Sequence, residues 1–183
     1  MLIPFRSKLP PQMPALSPRL SILVVCTANL CRSPMAEGAL RAMFARMGIC
    51  ADVDSAGTHD YGEGLRPCPI AVQTARRHGY DISRQVGRQV RHHDFRYFDL
   101  ILAMDARNRR QLRRFAGRTA RNKIMLLLDF SVEFRGGEVM DPFGRGEIAY
   151  EEAHQRIISG CVGVARYVAA ASKTPSAMHS AAA

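Results

Sequence analysis

The chain has no tryptophan, few acidic residues, an odd number of cysteines and no long apolar run. The missing tryptophan excludes nothing. No stretch nears the roughly 20 apolar residues of a membrane-spanning helix, so no span is expected. Asp and Glu number 16 against 26 Lys and Arg, a formal charge of +10. That imbalance fixes the sign of a partner as anionic: a phosphorylated substrate, a polyanion, nucleic acid or a membrane surface. It does not choose among them. Five cysteines are an odd number in a chain too long to need disulfide staples, which favours reduced thiols and a cytoplasmic location. The absence of any Gly-x4-Gly-Lys-Ser/Thr string removes nucleotide hydrolysis by that route.

What is present divides the chain. Pro4, Pro10, Pro11, Pro14 and Pro18 strip amide donors and break any signal-peptide pattern, so residues 1–19 read as a disordered leader. The Ala- and Ser-rich stretch over 172–183 reads as a flexible tail. Residues 20–171 remain as one domain, long enough to bury a core. There, short apolar runs over 20–25, 51–55, 99–104 and 124–128 have strand character. They alternate with helical patterns over 34–47, 70–78, 107–115 and 147–168. The last helix aligns Ala153, Ile157, Cys161, Val164 and Val168 on one face, and the first aligns Ala36, Leu40, Met43 and Met47. Such alternation predicts an α/β domain with a parallel sheet covered on both faces, and ligands at the carboxyl ends of its strands.

At the end of the first strand the chain reads Val25-Cys26-Thr27-Ala28-Asn29-Leu30-Cys31-Arg32-Ser33-Pro34. A loop from a strand into a helix N-terminus can turn successive N–H groups inward as an anion nest, and the helix dipole adds positive potential there. A thiolate at the base of such a nest is stabilised. Arg32 brings a planar fork that pairs with two oxygens of a phosphoryl group. Ser33 is placed to hydrogen-bond the sulfur. Cys26, the loop residues Thr27 to Cys31 and Arg32 are therefore the candidate nucleophile and phosphate site.

This string resembles the signature of the low-molecular-weight protein-tyrosine phosphatases, and the resemblance extends over about residues 20–168 in the manner of bacterial members. It implies a four-stranded sheet in the order 2-1-3-4, a cysteinyl-phosphate intermediate, and no cofactor or metal. The family's general acid sits in an Asp-Pro dipeptide, matched by Asp141-Pro142. Ser55, His78 and Asp105 fall at positions that steady the phosphate loop or form the His–Asp pair beside it, and Glu37 joins that network. Leu30, Tyr61 and Phe143 are expected to wall the substrate. Cys31 is expected to trap oxidised Cys26 as a disulfide, with Cys50, Cys68 and Cys161 as core or incidental thiols. The implied partner is a phosphotyrosine protein. For bacterial members this includes autophosphorylated tyrosine kinases of capsule or exopolysaccharide export. The enzyme itself is expected as a monomer or weak dimer.

Departures and rivals are specific. Ala28 replaces a usual Gly, a strain if that position needs positive φ. Phe143 stands where the family often has Tyr. An arsenate reductase of similar fold would need further cysteines over residues 79–96, and there are none. A protein-arginine phosphatase would carry Thr in place of Leu30. A polyanion-binding role would use Arg107, Arg109, Arg110, Arg113, Arg114, Arg118 and Arg121, but no aromatic interleaving apart from Phe115 and no nucleic-acid motif accompanies them. His92-His93-Asp94 lacks the spaced partners of a metal site.

Overall fold

The computed structural model describes residues 20–172; the leader over 1–19 and, save for Ser172, the tail over 172–183 lie outside the described residues. Four parallel strands, β1 (Leu20–Cys26), β2 (Ala51–Gly57), β3 (Leu100–Ala103) and β4 (Ile124–Leu126), lie in the order β2-β1-β3-β4. Helices α1 (Arg32–Met47), α2 (Pro69–Arg77), α4 (Ala106–Phe115) and α5 (Gly146–Ser172) flank the sheet, with the one-turn α3 (Asp94–Tyr97) before β3. The order follows the expectation from resemblance. The four-residue α3 escaped it, being too short to show a helical period.

β1 is buried along its whole length because both faces of the sheet are covered. Alternation along the strand sends Ile22, Val24 and Cys26 into one layer with Met35, Leu40, Phe44, Ile157 and Cys161 of α1 and α5. Leu23 and Val25 enter the other layer with Phe95, Phe98, Ile101 and Leu112. All five residues of the expected α5 face are buried. On α1 the buried stripe runs through Ala36, Leu40 and Phe44, and Met47 is exposed. The helix starts at Arg32, two residues earlier than expected, because Arg32 and Ser33 turn inward onto polar partners.

β1 lies between β2 and β3, and the chain leaves it to one side through α1 and returns on the other to β3. Cys26 pairs in register with Gly57, and Val25 with Ala103. The carboxyl end of β1 is thus a topological switch point, where an open α/β sheet leaves a crevice.

On α5, His154 is 3% exposed, stacked on His78 with ring centroids 3.8 Å apart, and its Nε2 has no hydrogen-bond partner. Burial, helped by the neighbouring His78, pulls its pKa from 6.5 down to about 4. The unfolded chain takes that proton near pH 6.5 and the folded one only near 4, so stability is lost as pH falls through this window. The unfolding free energy, measured by urea titration, should drop by about 1.5–2 kcal/mol more in the native protein than in His154→Phe between roughly pH 7 and pH 5.

Candidate active site

The loop between β1 and α1 is held open by four of its carbonyls, each bonded away from the loop interior. Cys26 O accepts from Thr58 N at 2.9 Å, Thr27 O from His59 N at 3.0 Å, and Leu30 O from Cys68 N at 2.8 Å. Cys31 O accepts from Met35 N at 3.3 Å as α1 begins. In a trans peptide the N–H lies opposite the carbonyl, so the amides of Thr27, Ala28, Cys31 and Arg32 face the loop interior. The outer wall fits closely because two glycines meet it: a Cβ on Gly62 would lie 2.1 Å from Ala28 O, and one on Gly87 the same distance from Gly62 O. Only residues without side chains fit there.

Asn29, not Ala28, takes the left-handed conformation, with φ 58°. It is the sole non-glycine residue with positive φ among the described residues, and Asn tolerates that region far better than alanine. Position 28 does not need positive φ, so alanine is accommodated there without that strain. Asn29 is buried, and its amide ties the loop together: Nδ2 donates to Ser33 Oγ at 3.0 Å and Ser55 Oγ at 2.8 Å. Its Oδ1 accepts from Arg88 N at 3.0 Å. Ser55 Oγ donates in turn to Glu37 Oε2 at 2.6 Å, and Glu37 pairs with Arg41 at 3.0 Å. Burial pushes the Glu37 carboxyl above its usual range, opposed by Ser55 and Arg41.

Cys26 Sγ accepts from Ser33 Oγ at 3.0 Å and Asn29 N at 3.3 Å, the donors an anionic sulfur requires. Arg32 is 2% exposed. Its Nη1 donates to Asp105 Oδ2 at 2.8 Å and Val139 O at 3.0 Å, and Nη2 to Asp141 Oδ2 at 2.7 Å and Thr27 Oγ1 at 3.3 Å. Burial works against the guanidinium charge. The Cys26 sulfur, Asp141 and Asp105 outweigh it and raise the pKa of Arg32, so the group is cationic throughout the accessible pH range. Arg32 Nε is buried without a partner. Asp105 is fixed as the N-cap of α4 by Asn108 N at 2.7 Å.

Around this floor a cavity of about 310 Å³ is lined by Cys26, Thr27, Ala28, Leu30, Cys31, Arg32, Tyr61, Asp141 and Phe143. Tyr61 is stacked flat on His59 with centroids 4.9 Å apart. Of the expected residues, the structure brings Ser55, Asp105, Asp141 and the three wall residues to the loop. His78 lies elsewhere. It caps the C-terminal end of α2, stacks on His154 and meets Glu151 Oε2 at 2.8 Å, with no bond to the loop. The Arg-His-Gly motif around it serves a helix end on Gly79, whose φ is +86°. His78, Glu151 and His154 are the one group among the described residues whose ligand atoms are near enough for a metal, all within 4.8 Å. The two imidazoles, however, stack with planes only 20° apart. An ion cannot lie in both ring planes, as coordination by both rings demands.

Four contributors escaped the sequence reading. Val139 offers only a carbonyl, and Arg88 and Asn108 sit far along the chain without a motif. Cys68 lies 2.9 Å from Cys31, separated from it in sequence by α1, β2 and the loop before α2, so the spacing carries no signal. Asn29→Ala removes three buried hydrogen bonds and puts alanine in the left-handed region. It should lower the unfolding free energy by roughly 2–4 kcal/mol in urea titration.

A sequence model of the family described as low molecular weight phosphotyrosine protein phosphatase matches residues 21–174. The low molecular weight protein-tyrosine-phosphatase YfkJ of Bacillus subtilis is 38% identical over 144 residues, which is 78% of this chain and 91% of that protein. The crystal structure of YfkJ superposes with a TM-score of 0.80 at 34% identity, covering 86% of this chain and 99% of that one. The YwlE arginine phosphatase, in a mutant with a phosphorylated active-site serine, superposes with a TM-score of 0.74 at 26% identity, covering 82% and 96%.

Proposed function

The chain belongs to the low molecular weight phosphotyrosine protein phosphatase family, and from that premise we propose that it hydrolyses phosphotyrosine in proteins with Cys26 as nucleophile. The observation that carries this reading is the joint placement of Cys26 Sγ and the buried Arg32 guanidinium at one loop, four of whose carbonyls bond away from its interior.

In the proposed reaction the phosphoryl group enters the loop, and its equatorial oxygens take the inward amides and Arg32, whose Nε has no competing partner in the protein. Doing so competes for Nη2, which Asp141 otherwise holds. Asp141, about half exposed at 49%, is then released from the ion pair, takes a proton from solvent and swings to the ester oxygen. The thiolate of Cys26 attacks phosphorus in line, the P–O bond to tyrosine breaks, and Asp141 protonates the departing phenolate oxygen. Water next attacks the cysteinyl-phosphate while Asp141 takes its proton. The S–P bond breaks and the sulfur leaves as a thiolate, held by Ser33 and the Asn29 amide. Arg32 and the amides supply the charge stabilisation that a metal ion would otherwise give.

Leu30, Tyr61 and Phe143 give the cavity apolar walls suited to a phenyl ring. This supports phosphotyrosine over the phosphoarginine of YwlE, because Leu30 offers the guanidinium of that substrate no hydrogen bond. The exposed arginines of α4, among them Arg107, Arg110 and Arg114, begin beside Asp105 and would raise the local concentration of anionic substrates. No helix among the described residues is long and apolar enough to cross a membrane. By resemblance to bacterial members, the proposed partner is an autophosphorylated tyrosine kinase of exopolysaccharide export, met in the cytoplasm by a monomer or weak dimer.

The test is kcat/KM on matched phosphotyrosine and phosphoarginine peptides, with Cys26→Ser as the blank. A preference for phosphotyrosine of at least about 100-fold is expected, falling at least about 10-fold in Leu30→Thr. A native preference for phosphoarginine would overturn the substrate assignment.

A further inference from the structure

We propose that Cys31 and Cys68 are a redox-active dithiol in the wall of the catalytic cavity, which peroxide closes to a disulfide without participation of Cys26. This assigns Cys31 a partner other than the nucleophile it was expected to rescue. The two sulfurs are 2.9 Å apart, against a bonded separation of roughly 2.05 Å, so closure needs a shift of under about 1 Å. The backbones already meet there, since Cys68 N donates to Leu30 O at 2.8 Å. Each cysteine directly precedes a helix, Cys31 before α1 and Cys68 before α2, and both helix N-termini favour negative charge on sulfur.

The two thiols are unequal. Cys68 is only half-buried, and its hydrogen bond with Cys31 lowers its pKa to about 7 against its burial. Cys31 is 5% exposed; the same contact with Cys68 and its own burial push its pKa up, and its sulfur also lies 3.3 Å from Tyr150 OH. Cys68 is thus the more accessible sulfur, the one that peroxide meets first, and Cys31 the neighbour that resolves it.

The chemistry balances with hydrogen peroxide as oxidant. The Cys68 thiolate attacks one peroxide oxygen, the O–O bond breaks, and Cys68 sulfenic acid forms with release of water after protonation of the leaving hydroxide. Cys31 sulfur then attacks Cys68 sulfur, the S–OH bond breaks, and the Cys31 proton leaves with that oxygen as a second water. Two electrons pass from the sulfurs to the peroxide oxygens. Two exchanges with an external dithiol reverse the process. The cross-link ties the phosphate loop to α2 and removes Cys31 from reach of Cys26.

The full-length protein, its Cys26→Ser variant and its Cys68→Ser variant should be treated with stoichiometric hydrogen peroxide, alkylated and mapped by mass spectrometry without reduction. Circular dichroism before treatment checks that each is folded. The expected result is a Cys31–Cys68 linked peptide in the native protein, formed within about twofold of that rate in Cys26→Ser, lost in Cys68→Ser and reversed by dithiothreitol. Cys26→Ser has no nucleophile for phosphate, so linkage there is independent of the phosphatase reading. A dominant Cys26–Cys31 link in the native protein, linkage that needs Cys26, or over-oxidation of Cys68 with no linked peptide would each overturn the proposal.

Discussion

A buried guanidinium at the carboxyl end of the sheet is the constraint around which the site is arranged. Arg32 is 2% exposed, and a charge so far from water is tolerated only when paired and hydrogen-bonded. Its partners come from three parts of the chain. Thr27 lies in the same loop, Asp105 follows β3, and Val139 and Asp141 lie on the segment entering α5. The sheet order brings the first two together, since β1 and β3 are neighbours. The segment around Val139 is held to the same end of the sheet because Val139 N donates to Met104 O at 2.9 Å. Removing one partner would leave the charge exposed to a low-dielectric interior, which explains why the loop is braced by so many polar contacts.

The second brace is the chain of hydrogen bonds from Arg41 through Glu37, Ser55, Asn29 and Ser33 to Cys26. It crosses from α1 through β2 into the loop and fixes each donor that faces the sulfur. Preorganised donors do not have to reorient as charge moves onto the sulfur or the phosphoryl oxygens. The chain also gives a fixed role to each small polar side chain in it, because every hydroxyl both donates and accepts.

Much of this was legible in the sequence for a simple reason: the loop is contiguous. Cys26, Arg32 and Ser33 lie within eight residues, and the strand before and helix after them each have a clear period. Asp105 and Asp141 could be located through resemblance, because each stands in a longer string that matches the family. Contacts made by backbone or by isolated residues were not legible. Val139 acts through its carbonyl and Arg88 through its N–H, so neither role depends on a motif. His78 misled because its motif marks a helix end on a glycine, a local feature that looks the same whether or not it faces the site. Ala28 is tolerated because the left-handed residue is its neighbour Asn29. Cys68 was taken as incidental because its distance from Cys31 is set by how α2 docks against the loop, a tertiary fact with no spacing in sequence.

The account rests most heavily on a phosphoryl group passing through Cys26 sulfur. A phosphotyrosine peptide mixed with excess protein in a rapid acid quench, followed by mass spectrometry of the digest, tests that step directly. Slowing hydrolysis with Ser33→Ala should let the intermediate accumulate. The account predicts a phosphate on the peptide containing Cys26, present in Ser33→Ala and absent in Cys26→Ser. Phosphate on another residue, or turnover with no labelled cysteine in either protein, would contradict it.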